Sequence, residues 1–322
     1  MKITILGAGA VGGHIAARLA KSGTPVSVIA RGVHLAAIKA RGLMLRVGGE
    51  TFTTHPEATD RPADLGPQDL VVVSVKGPSL PAAMDVIAPL LSPDTRVLLA
   101  MNGLPWWFLD GLPVEAPPGL RRLLDPTGRM DSIIPRERAA ACVITSGGRI
   151  VEPGVIENTT PNLNILTLGF ADGRDDAVVG EFAALAVRAG YKSALTPTIR
   201  VAIWTKLFIN AAAAMVAALV HRPTSETASD PELAAIILAC INEIVAIGRA
   251  IGVNANVDPA AVLAAMKTHH HRPSVLQDLE AGRPLELDAT ILAVRDLARA
   301  TGVSAPHLTT IAALIAARSP AM

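Results

Sequence analysis

The hexapeptide GAGAVG at Gly7–Gly12 constrains the fold more than any other stretch of the chain. It matches G-x-G-x-x-G, a pattern that means little alone. Here it follows an apolar run beginning at Ile3 and opens the apolar-periodic segment Ala10–Ser22, which is the strand–turn–helix context the motif requires. In that context Gly7 makes the tight turn. Gly9 lets the backbone approach a pyrophosphate, and Gly12 lets the helix pack closely on the strand. The helix start contributes N–H groups and the positive end of its dipole. Gly7, Gly9, Ala10, Val11 and Gly12 are therefore the candidate cofactor-binding loop for a dinucleotide. The alternative is a glycine-rich turn that binds nothing.

The rhythm continues downstream. Pro25–Ala30, Asp69–Val75 and Thr95–Ala100 are β-branched or continuous apolar runs, as expected of strands covered on both faces. A helix is expected near His34–Arg41, and LMLRV followed by ETFTTH predicts a short hairpin. Strand texture returns between about Ala141 and Gly169, followed by a helix over Gly180–Gly190. From Thr198 onward long apolar-periodic segments take over, at 199–220, 231–251, 259–267, 285–301 and 306–317. HRPTS, IGVNANVDP and ATGVSAP punctuate them. The pattern predicts an α/β Rossmann-like N-terminal domain with a mainly parallel sheet, residues 1–196, followed by an all-α C-terminal domain, residues 197–322.

The 322 residues suffice for two domains, and half of them are hydrophobic. Net charge is +1 with no long run of either sign, which argues against nucleic acid or an anionic membrane as partner. Cys142 and Cys240 make neither a disulfide framework nor a C-x-x-C site, so a reducing, cytoplasmic setting is expected. The N-terminal apolar run is too brief and too glycine-rich for a signal peptide. Apolar stretches such as Ala211–Val220 read as too short to span a bilayer.

Three polar residues sit at expected strand ends, where an open parallel sheet binds its ligand. Arg31 follows PVSVIA, Lys76 follows VVVSV, and Asn102 follows VLLAM. Dinucleotide sites for NAD usually place an acid at the position of Arg31. No acid occurs here before Glu50, and an arginine suits a 2′-phosphate, which favours NADPH. In the second half, IWTKLFIN (203–210) sets Lys206 and Asn210 four residues apart on one expected helix face, with Ala202, Ala213 and Ala217 near the same line. Lys206 either snorkels from a packed helix or is a positioned ammonium that polarises a carbonyl and supplies a proton. Small residues along its face leave room for a ligand or for another helix. A further polar segment, His269–Asp288, opens with three histidines that show no metal-ligand spacing. Glu286 lies just after Pro284, where a helix start would give an acid a favourable dipole position.

The ordered set GAGAVG, SVKG, MNG, IWTKLFIN and RPSVLQDLEAGRPLELD resembles the ketopantoate reductase (2-dehydropantoate 2-reductase) family along nearly the whole chain. The glycine motif is shared with many dehydrogenases. The K-x-x-x-N pair and the PS-x-LQD block are specific. By that resemblance Lys206 is the catalytic lysine and Glu286 its acidic partner near substrate and cofactor. Asn102, Asn210 and Ser274 contact substrate, Asn102 and Lys76 lie beside the cofactor, and Arg31 meets the 2′-phosphate. The resemblance also implies an active site in the cleft between the two domains. The reaction it implies is NADPH-dependent reduction of a 2-oxo acid to a 2-hydroxy acid, with 2-dehydropantoate giving pantoate on the route to pantothenate and coenzyme A.

Two positions depart from the family pattern. Ala214 begins AMVAA where a second asparagine is common, and His271 stands three before Ser274 where Asn is common. Both exchanges remove amide donors, which changes which polar substrate is tolerated. NGLPWWF also gathers Trp106, Trp107 and Phe108 in a chain with only 3% aromatics; they either line the cleft or pack. The expected partner is a small-molecule 2-oxo acid, and the alanine-rich helices permit a homodimer. The alternatives are a paralogous reductase of another branched 2-oxo acid, and a non-catalytic NADP-binding sensor.

Overall fold

The computed structural model describes residues 1–268 and 272–319, so the readings placed on His269, His270 and His271 lie outside the described residues. The chain divides into two compact units. The first comprises Met1–Met101 and Arg129–Ile199, the second Asn102–Gly128 and Arg200–Met322. The stretch 102–128 thus packs with the helical unit, although it precedes residue 196 in sequence. The reason is local. Leu104 N–H donates to Ala289 O at 2.7 Å, Phe108 stacks on Trp204 with ring centroids 5.9 Å apart, and Arg200 donates to Phe108 O at 2.9 Å.

The first unit holds β1 (Ile3–Leu6), β2 (Ser27–Ile29), β3 (Leu43–Val47), β4 (Glu50–Thr54), β5 (Glu57–Thr59), β6 (Leu70–Val73), β7 (Arg96–Leu99), β8 (Ala139–Thr145), β9 (Gly148–Glu152), β10 (Val155–Asn158), β11 (Ile165–Gly169) and β12 (Lys192–Leu195). Eight form one sheet in the order β12-β11-β8-β7-β6-β1-β2-β5. Its pairings are parallel except β8 with β11. The expected hairpin is present as β3–β4 and joins β10 and β9 in a second, four-stranded sheet. Every residue of β6 is fully buried, which is why its sequence is continuously apolar rather than alternating. β1 lies between β2 and β6, so the strand order reverses beside it. In an open α/β sheet this reversal is where ligands bind.

The second unit contains helices joined by turns and irregular stretches, with no strand among its described residues. Helices at Pro231–Ala250, Pro259–Lys267 and Pro306–Arg318 follow the expected segments. Asp230 and Asp258 cap the first two through side-chain acceptors. Two short helices, Thr224–Ser229 and Ser274–Glu280, have too few residues to show a period. The core closes around Trp204, whose indole N–H donates to Ile244 O at 3.1 Å. Only glycine fits at position 248, where a Cβ would lie 2.4 Å from that indole nitrogen.

Two expectations need correction. The helical run Ile199–Leu219 spans 21 residues and Pro231–Ala250 spans 20, so both are long and apolar enough to cross a membrane. Their apolar windows are 67% and 44% buried within the fold, and they serve here as core helices. The run at 199–220 is also not one regular α-helix. It is α over Ile199–Leu207, π over Phe208–Ala213, and α again over Ala214–Leu219.

Candidate functional site

The glycine loop has the form of a cradle with one open side. Gly7 has φ +103° and its N–H donates to Ile29 O at 3.0 Å, tying the turn to β2. A Cβ at Gly12 would sit 2.0 Å from Gly7 O, 2.1 Å from Ser74 Oγ and 2.9 Å from Ile5 Cγ2, so no side chain is admissible there. A Cβ at Gly9 would meet nothing within 4 Å. The close packing at Gly12 draws helix α1 (Ala10–Lys21) against β1, and Gly9 leaves the loop bare at its start. No side chain caps α1 and no acid lies in its first turn, so its N–H groups are left for an anion. These features fit a dinucleotide pyrophosphate.

Sequence reasoning did not single out Ser74 as a site residue. Its hydroxyl donates to Gly7 O at 2.7 Å, and its N–H donates to Leu6 O at 2.9 Å. It fastens the carboxyl end of β6 to the loop. Its place at the end of an apolar strand, inside SVKG, was the available signal.

Arg31 is exposed just beyond β2. It precedes the first turn of helix α2 (Gly32–Arg41) in extended conformation, and no acidic residue lies in that turn. Lys76, also exposed, follows β6 by three residues and starts a short 3₁₀ turn. The first unit therefore carries the glycine loop, Arg31 and Lys76 beyond the carboxyl ends of β1, β2 and β6.

The remaining predicted residues belong to the helical unit. Asn102 follows β7 in sequence but packs with the helices. Its Oδ1 accepts from Asn210 Nδ2 at 3.2 Å, joining two positions 108 residues apart. Lys206 and Asn210 are both half-buried. The π-helical stretch begins between them, so the simple one-turn spacing assumed for an α-helix does not apply. Single π turns inside α-helices occur frequently at functional sites. Of the small residues on the expected face, Ala213 and Ala217 are fully buried and serve helix packing rather than ligand space. Ala214 is 4% exposed.

Glu286 is half-buried and precedes a second π-helical segment, Asp288–Leu292. It lies outside the helix, so the expected first-turn dipole role does not hold. Its backbone carbonyl accepts from Thr290 Oγ1 at 2.6 Å, and Thr290 itself is non-helical with φ −110° and ψ −107°. Gly103 presses on this segment, since a Cβ there would lie 2.4 Å from Ala289 O. Within the helical unit, the Asn102–Leu104 turn is thus fastened both to Asn210 and to the segment that follows Glu286. Ser274 is exposed in the first turn of its helix. Asp278 is 2% exposed and pairs with Arg283 at 2.8 Å. Trp107 and Phe108 are fully buried core residues. Trp106 is half-buried, and its indole nitrogen has no partner among the described residues.

Comparison with known proteins covers both units. The family model described as ketopantoate reductase PanE/ApbA matches residues 3–172, and its C-terminal counterpart matches residues 198–319. A 2-dehydropantoate 2-reductase from Mesorhizobium japonicum is 36% identical over 320 residues, covering 98% of this chain and 97% of that protein. A crystal structure assigned as a ketopantoate reductase, from Ralstonia solanacearum MolK2, superposes with TM-score 0.89 at 36% identity, covering 98% of this chain and 97% of the other. A D-mandelate dehydrogenase bound to NADH and anilino(oxo)acetate shares the fold, with TM-score 0.83 at 19% identity and coverage of 99% and 98%. Both units match, and the chain belongs to the ketopantoate reductase family, as an oxidoreductase acting on CH–OH groups.

Proposed function

We propose that the protein reduces 2-dehydropantoate to pantoate with NADPH, in the cytoplasm, as a step toward pantothenate and coenzyme A. The observation that carries this reading is the Asn102–Asn210 bond, which joins a second amide to the helical run that carries Lys206 and Asn210. Paired amides next to a cationic side chain suit a 2-oxo acid, whose carboxylate, ketone and hydroxyl are all hydrogen-bonding groups. NADPH is favoured over NADH by Arg31 and by the lack of an acid in the first turn of α2.

Bound NADPH supplies a hydride to the ketone carbon. The chain's own residues do the rest. The glycine loop and Arg31 hold the cofactor's phosphates. Asn102, Asn210 and Ser274 orient the substrate, with Lys76 beside the cofactor and Glu286 as the acidic partner of the site. Lys206 stabilises negative charge as it develops on the carbonyl oxygen and then donates a proton to it.

A panel of 2-oxo acids, followed by NADPH absorbance, tests the assignment. The expected result is rapid oxidation with 2-dehydropantoate and slow oxidation with straight-chain or aryl 2-oxo acids. Selective turnover of another branched acid would transfer the assignment to a paralogous reductase. Such a shift would fit Ala214, which stands where the family commonly has an amide. Tight NADPH binding without turnover of any acid would identify a sensor.

A further inference from the structure

Two histidines that the reaction does not use touch the cofactor loop or its helix, and their partners define their protonation. His34 lies in the first turn of α2. The N–H of Gly154 approaches its Nδ1 at 3.0 Å, and its Nε2 lies 2.7 Å from Ala8 O. A backbone N–H only donates and a carbonyl only accepts. Nδ1 must therefore be the bare nitrogen, and Nε2 carries the proton. Gly154 is a fixed post for this bridge. Its φ is +83°, its carbonyl accepts from Met44 N at 2.9 Å, and a Cβ on it would lie 3.1 Å from Ala37 Cβ. The ring thus ties the turn between β9 and β10 to the carbonyl of Ala8, the second residue of GAGAVG. Peptide planarity makes that bond directional, because holding Ala8 C=O also sets the opposite direction of the Gly9 N–H. Gly9 is the bare residue of the loop.

His14 lies one turn into α1 and is 4% exposed. Its Nε2 faces Arg18 Nε at 2.8 Å and Asn158 Nδ2 at 3.2 Å. Asn158 cannot be turned around, because its Oδ1 takes the Thr160 N–H at 2.8 Å. Its Nδ2 also donates to Asn164 Oδ1 at 2.8 Å, and Asn164 is oriented in turn by its bond to Pro161 O at 2.7 Å. With two donors aimed at Nε2, that nitrogen is bare. Nδ1–H then donates to the Tyr191 hydroxyl at 3.0 Å. The rings of His14 and Tyr191 line a small cavity that reaches Ala10 and Val11 at the start of the helix. Burial lowers the His14 pKa to about 3, with Arg18 adding to the effect, which keeps the ring neutral.

We propose that His34 is a positioning residue of the phosphate loop, and that His34 and His14 are both neutral and in opposite tautomers, His34 protonated on Nε2 and His14 on Nδ1. The proposal rests on the dinucleotide reading of the loop. Long-range proton–nitrogen NMR of ¹⁵N-labelled protein, with signals assigned through single variants, tests the tautomers directly and needs no cofactor. The functional arm is NADPH titration. His34→Phe removes the bond to Ala8 and should weaken NADPH about tenfold, while kcat at saturating NADPH stays within about twofold. His34→Gln, whose amide offers a donor and an acceptor, should recover most of the affinity. A purely structural role would move the melting temperature without this split or this rescue. The same tautomer on both rings, a cationic ring at neutral pH, or unchanged NADPH affinity in His34→Phe overturns the proposal. Wild-type protein that binds neither NADPH nor NADH overturns it together with the cofactor reading, and the two failures are told apart by that control. If His34→Phe does not fold, the wild-type NMR spectrum still decides.

Discussion

The two units build their candidate sites by opposite means. The first uses backbone. Around Gly12 there is no room for even a methyl group, and the loop's carbonyls are fixed by Ser74 and His34. The second uses side chains carried on irregular helix, with Asn210 in one π-helical stretch, Glu286 ahead of another, and Asn102 fastened between them. A backbone site is lost when an atom is added, because the geometry that binds is also the geometry that packs. A side-chain site can lose its working group and keep its fold. Substitutions at the packed glycine of the first unit should therefore register in stability and affinity together, and those at the site side chains of the second chiefly in turnover.

The largest expected effect is in the helical unit. Lys206→Ala should lower kcat by about 10²–10⁴-fold, the range for loss of a positioned general acid. NADPH affinity should stay nearly intact. Turnover at the wild-type rate would remove Lys206 from the mechanism.

Next comes the backbone site. Gly12→Ala puts a methyl carbon onto Gly7 O and Ile5, and overpacking of that kind costs about 3 kcal/mol. The urea midpoint should fall, and NADPH binding should be lost with it. A variant with unchanged midpoint and affinity would mean the loop yields where its packing says it cannot.

The buried histidine gives a smaller, pH-dependent effect. The folded-state pKa of His14 is lowered from 6.5 to about 3, so the unfolded chain binds the proton more readily. Stability from this group is present above about pH 6.5 and is lost as pH falls toward 3. Between pH 7 and pH 5 the loss should be about 2 kcal/mol. Urea titrations of wild type and His14→Gln at the two pH values should show that the variant lacks this increment. Equal acid sensitivity in both proteins would assign the loss to other groups.

The smallest effect expected is selective. Arg31→Ala should weaken NADPH about tenfold, as for loss of a charge-assisted contact, and leave NADH nearly unchanged. Equal losses for both cofactors would refute a 2′-phosphate contact.

The two units were also unequally legible. GAGAVG placed β1, α1 and the loop because each glycine answers a local requirement of turn or packing. Strands such as Leu70–Val73 announced themselves through continuous burial. The helical unit's site was readable only as residue types, Lys206 and Asn210 at a spacing that suggested one α-helical face. The π stretch at Phe208–Ala213 has no local signature in FINAAA. Glu286 was placed in a first turn that begins two residues later, at Asp288.

What the amino-acid order determined by itself was the local chemistry. It set where the chain must turn, which runs must be buried, and which polar residues stand at their ends. Only the tertiary structure decided the long-range joins. It moved Asn102 from the end of a strand into the helical unit, because Gly103 and Leu104 dock on Ala289. It also decided the histidine tautomers, because partners as distant in sequence as Gly154 from His34 and Tyr191 from His14 define a ring's proton only once folding has brought them within hydrogen-bond reach.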